Sequence, residues 1–116
     1  MTNTPWIGVD LDGTLAFFDT WRGVEHIGPP IPRMVAVVHA FLGRGIRVKI
    51  FTARASQGDE AIAAIRRWLK DAGLPPDLEI TDKKDYHAIE YWDDLAISVE
   101  SNTGRRIKGA SILDIL

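Results

Sequence analysis

Short apolar runs alternate along the chain with longer amphipathic segments. Trp6-Ile7-Gly8-Val9 is an unbroken apolar stretch, the pattern of a buried strand, and it ends at Asp10. Residues 17–32 lack periodicity and carry Gly23, Gly28, Pro29, Pro30 and Pro32, which predicts a loop or flap. From Arg33 the period changes: Met34, Val37, Val38, Phe41 and Leu42 recur at helical spacing, with Gly43 and Gly45 as the stop. Residues 46–51 alternate apolar and basic side chains as a strand does, and lead into Thr52-Ala53-Arg54. Ser56 or Asp59 is placed to cap a second helix, whose apolar positions Ile62, Ile65, Leu69 and Ala72 precede Gly73 and Pro75-Pro76. Beyond it the pattern predicts a short strand over residues 78–81, one or two helical turns over 84–90, and another apolar strand over 95–99. Tyr91-Trp92 leads into the pair Asp93-Asp94.

Strands alternating with helices predict an α/β fold: a central parallel sheet, covered on both faces and joined by right-handed crossovers, in three layers of Rossmann-like type. Ligands of such sheets bind beyond the carboxyl ends of the strands. Asp10 and Asp12 follow the first strand, Thr52 and Arg54 the second, and Asp93 and Asp94 a later one, so all three clusters should meet on one edge.

Length and composition narrow the classes without choosing among them. The 116 residues suit a single domain spanning 1–116, and a chain of this size buries about two-thirds of its unfolded surface. Hydrophobic residues make up 46% and charged residues 26%, with 14 basic against 16 acidic side chains and a net charge of -2. That balance does not advertise a polyanion-binding protein. With no cysteine there is no disulfide framework, thiolate metal site or cysteine nucleophile. The absence of a secretory pattern or a long apolar run predicts a cytoplasmic protein with no membrane partner.

The chemistry concentrates at the predicted strand ends. A hard cation such as Mg2+ needs oxygen ligands, which Asp10, Asp12, Asp93 and Asp94 offer. With anionic repulsion reduced, an Asp carboxylate can attack phosphorus, while a second carboxylate protonates the leaving oxygen and later activates water. Thr52, through its hydroxyl and neighbouring backbone N–H, is suited to a phosphate oxygen, and Lys84, with Lys83 beside it as the alternative, to charge balance. Arg54 suits either substrate phosphate or a helix cap.

Together these residues resemble the haloacid dehalogenase superfamily of phosphohydrolases. Asp10-Leu11-Asp12-Gly13-Thr14 looks like its first motif, Ile50-Phe51-Thr52-Ala53-Arg54 its second, Lys84 its third and Trp92-Asp93-Asp94 its fourth, in the family's order. The resemblance covers roughly residues 6–104. It implies Asp10 as nucleophile, Asp12 as general acid/base, phosphate binding by Thr52, Ala53, Arg54 and Lys84, and Mg2+ held by Asp10, the Asp12 carbonyl and Asp93, with Asp94 orienting or sharing that site. The short intervals between motifs resemble capless members from bacteria and phages, including the phosphatase half of polynucleotide kinase-phosphatases. Those relatives usually carry arginine after the two aspartates, where this chain has Leu95.

The resulting expectation is a Mg2+-dependent phosphomonoesterase acting on a small phosphate ester, a nucleotide or a polynucleotide end. The rivals are a non-catalytic phosphate- or partner-binding module and a phosphotransferase using the same covalent intermediate. Phe17, Phe18 and Trp21 should pack the flap onto the domain, with stacking on a base or sugar as the alternative. Trp68 and Trp92 are core candidates, whereas His26, His39 and His87 have no ligand spacing. Arg105, Arg106 and Lys108 form a basic cluster suited to a solvated tail. Ile112, Leu113, Ile115 and Leu116 suit docking onto the domain or a homodimer contact.

Overall fold

The computed structural model describes residues 4–115, so Leu116 lies outside the described residues. Strand β1 (Trp6–Val9) leads through a turn and a flap into helix α1 (Pro32–Gly43), followed by β2 (Arg47–Phe51). A 3-10 turn (Ala53–Ser56) then precedes helix α2 (Asp59–Asp71) and β3 (Glu79–Thr81). Next come β4 (Ala88–Trp92) and a small antiparallel pair, β5 (Ser98–Val99) with β6 (Arg106–Lys108). The main sheet has four strands in the order β3-β2-β1-β4, all parallel. This is an α/β architecture with two helices, compatible with a Rossmann-like fold. Among the described residues, no helix is long and apolar enough to cross a membrane.

Successive strand residues face opposite sides of a sheet, and here the two sides differ. Ile7, Val9, Val48 and Ile50 pack into one cluster with Val38 of α1 and with Ile65 and Leu69 of α2. Trp6, Phe51 and Tyr91 meet on the other face, with ring centres 5.1 to 6.5 Å apart, and Lys49 Nζ lies 4.3 Å from the Trp6 ring centre. Gly8 permits that meeting, because a Cβ there would stand 2.9 Å from the Tyr91 ring. Both helices cover the aliphatic face, as expected for two right-handed crossovers stepping in one direction across the sheet. The aromatic face is crossed by residues 82–87 instead of a helix, so the expected three layers are not formed by the described residues.

Other local expectations change. Residues 84–90 do not form helical turns: Asp85 accepts the His87 backbone N–H and the Trp6 indole N–H, both at 2.8 Å, and the chain then pairs as β4 beside β1. Only Ser98–Val99 of the strand expected over 95–99 is extended, and it lies exposed outside the parallel sheet. Neither Ser56 nor Asp59 caps α2. Gly58 occupies that position, and Asp59 and Glu60 place negative charge in the first turn, where the helix dipole favours it. Helix α1 does stop at its glycines: Gly43 is its last residue and Gly45 turns at φ +74°, with Gly45 N–H donating to Leu42 O and Ile46 N–H to Phe41 O.

The flap is pinned at its base, where Ala16 bridges Pro30 and Phe17 N–H donates to Pro29 O. Trp68 ties it to α2 by donating its indole N–H to Gly28 O at 2.7 Å. Phe17 and Phe18 are 53% and 42% exposed and do not pack the flap onto the domain, whereas Trp21, 49% exposed, rests its ring on the Arg54 guanidinium. Trp92 is also partly exposed, resting edge-on against Phe41. Ile112, Leu113 and Ile115 are exposed rather than docked. The basic tail is paired internally, Arg105 with Glu100 and Arg106 with Asp114.

Candidate functional site

The strand ends meet as the alternation of elements requires. Asp10 N–H donates to Trp92 O and Thr52 N–H to Thr81 O, both at 2.9 Å, extending the ladders one residue past the strands. Residues following β1, β2, β3 and β4 therefore line one edge. Asp10, Thr52, Ala53, Asp82 and Asp93 share a cleft of about 380 Å³ with Phe51, Ser56 and Leu95.

Asp10, Asp93 and Asp94 each bring a carboxylate oxygen within 4.8 Å of the others. Gly13 is what brings Asp94 in. It turns the backbone at φ +87°, and a Cβ there would overlap the Asp94 carboxylate. Thr14 links the group: its hydroxyl accepts the Asp94 backbone N–H at 3.1 Å and lies 3.4 Å from both Asp10 Oδ2 and Asp94 Oδ1. One hydroxyl proton serves only one carboxylate at a time. Burial and the neighbouring Asp93 and Asp94 push the Asp10 carboxyl up to about 7. Three crowded carboxylates suit a hard divalent cation, since Mg2+ binds oxygens at about 2.1 Å and so gathers them to about 3 to 4 Å from one another.

The remaining candidates stand differently from one another. Thr52 is buried, and its hydroxyl oxygen accepts Arg54 N–H at 3.2 Å, starting the 3-10 turn. Asp12 lies apart from the three carboxylates, held by Arg54, whose Nε and Nη2 donate to its two oxygens at 2.8 and 3.0 Å. Arg54 is not a helix cap. Lys84 Nζ sits 5.2 Å from the Tyr91 ring centre in a neighbouring groove, which shares Phe51 and Asp93 with the cleft. Lys83 is exposed and paired with Asp82.

One participant was given no role of its own from the sequence. Thr14 stands directly after Asp-Gly, and a hydroxyl at such a turn is the signal for a residue that bridges to its neighbours. Trp21, expected to pack the flap onto the domain, meets it at Arg54, whose guanidinium carbon lies 4.6 Å from the centre of its ring.

The fold and site together define an α/β protein with an acidic cluster at the carboxyl edge of a parallel sheet. Compared with family models, curated proteins and solved structures, the chain matches none.

Proposed function

We propose that the chain is a Mg2+-dependent phosphomonoesterase of the haloacid dehalogenase type, working through an aspartyl-phosphate on Asp10. The observation that carries this is the convergence of Asp10, Asp93 and Asp94 beside the buried Thr52 at one sheet edge. Mg2+ held by these carboxylates would offset the charge of an incoming phosphoryl group. Asp10 then attacks phosphorus and the ester oxygen departs, taking a proton from the second carboxyl, Asp12. Asp12 later removes a proton from the water that cleaves the acyl-phosphate, returning Asp10. Thr52 contributes a hydroxyl donor to a non-bridging oxygen. The exposed rings of Phe17 and Phe18 and the half-exposed ring of Trp21 support a nucleotide or a phosphorylated polynucleotide end as the substrate.

Phosphate release from p-nitrophenyl phosphate, with and without Mg2+, tests the assignment. The parent should turn over only with the cation, and Asp10→Asn should fall by about three orders of magnitude with its circular dichroism unchanged. An equally active Asp10→Asn variant would overturn the assignment. Phosphate binding without turnover is the second reading, favoured by the position of Lys84 outside the cleft. Mg2+-dependent vanadate binding by a parent that hydrolyses no ester would establish it instead.

A further inference from the structure

Arg54 is only 3% exposed, and its hydrogen bonds reach two other segments of the chain. Nε donates to Asp12 Oδ2, Nη2 to Asp12 Oδ1 and to His26 O at 2.9 Å, and Nη1 to Val24 O at 3.3 Å. These bonds use four of the five N–H donors of a guanidinium. The parallel pair of N–H groups that would grip a phosphate is the pair that grips Asp12. One face of the guanidinium is closed by Trp21. The same side chain thus joins the turn after β1, the start of the 3-10 turn after β2, and the flap.

We propose that Arg54 is a positioning residue: it aims the Asp12 carboxylate and makes that aim depend on the flap, rather than binding the substrate phosphate. The proposal rests on the acid/base role of Asp12 in the proposed phosphatase. A carboxylate held at both oxygens has one orientation, whereas one released from the fork rotates about its side-chain bonds and spends less time directed at the leaving oxygen. The resulting loss depends on the ester. An alkoxide leaving group needs a proton as the bond to phosphorus breaks, while p-nitrophenolate departs largely without one.

The test compares the parent with Arg54→Lys and Arg54→Gln on an alkyl phosphate and on p-nitrophenyl phosphate, with inorganic phosphate as competitive inhibitor. Lysine keeps the charge but cannot form the two parallel bonds, so it should not rescue the function. On the alkyl ester, kcat should fall by about a hundredfold in both variants; on the aryl ester it should fall by about threefold, with the phosphate inhibition constant within twofold of the parent. Placing Arg54→Lys in an Asp12→Asn background should add little further loss, because the two act as a unit. Thermal melts show whether each variant is folded at the assay temperature. If Gln proves unfolded, Lys alone decides. Equal losses on both esters with phosphate inhibition weakened tenfold would make Arg54 a phosphate ligand and overturn the proposal. Unchanged alkyl-ester kcat in folded Arg54→Lys would overturn it as well. A parent inactive on both esters defeats the phosphatase assignment and the positioning role with it, whereas an active parent with either of the preceding results defeats the positioning role alone.

Discussion

Replacing Asp10 by Asn should make the protein more stable at alkaline pH. The Asp10 carboxyl is pushed from its ordinary 3.8 to about 7, first by burial and then by Asp93 and Asp94. Between those two values the folded chain holds a proton that the unfolded chain has lost. Stability therefore falls as pH rises through the window, and the penalty is complete above about 7. At ~1.4 kcal/mol per pH unit, a window roughly three units wide corresponds to about 4 kcal/mol. Asp93 and Asp94 are exposed, so water screens them, and about half of that, ~2 kcal/mol, is the expected effect.

Asparagine keeps the shape of Asp10 without its charge. At pH 8 in the absence of divalent cations, Asp10→Asn should melt about 8 °C above the parent, and the gap should close by pH 4. Acidic groups remote from Asp10 titrate alike in both proteins and cancel in the difference, leaving the cluster of Asp10, Asp93 and Asp94 as its source. Adding Mg2+ at pH 8 should raise the parent's melting temperature and narrow the gap, because a cation among the carboxylates relieves the same repulsion. Urea or thermal unfolding followed by circular dichroism measures each quantity. A gap absent at pH 8, or equal at pH 4 and pH 8, would refute the crowded acidic cluster.

The turn and the flap offer two more tests. Gly13→Ala combines an unfavourable positive φ with an overlap of the new Cβ and the Asp94 carboxylate, and should cost about 1 to 3 kcal/mol in denaturant unfolding. It should also abolish the Mg2+-dependent rise in melting temperature, and retention of that rise would place Asp94 outside the cation site. Trp68→Phe removes the 2.7 Å bond to Gly28 O, with an expected cost of about 1 kcal/mol. Proteolytic cleavage within residues 17–29 should become faster, and an unchanged rate would mean that the bridge between Ala16 and Pro30 suffices to hold the flap.

Local pattern determined most of the elements on the aliphatic side of the sheet. The spacing of Ile62, Ile65 and Leu69 and the alternation over residues 46–51 each carry a period that only one type of element buries, so α2 and β2 were readable. The alternation of strand and helix likewise brought Asp10 and Thr52 to one edge, since parallel strands end together, whereas Asp93 reaches it on β4, a strand that the local pattern did not predict. Tertiary structure decided the cases in which local pattern suits two states. Residues 84–90 are too short and too mixed to distinguish a helical turn from a strand; Asp85 bonding to Trp6, far away in sequence, and the open edge of β1 settled them as the approach to β4. Arg54 is the sharpest instance. Its charge is evident in the sequence, but its partners are not: Asp12 lies 42 residues away, and the His26 and Val24 carbonyls belong to an aperiodic flap. A periodic pattern records which face of an element is buried, whereas the direction of a single buried hydrogen-bonding group depends on which distant segments fold against it.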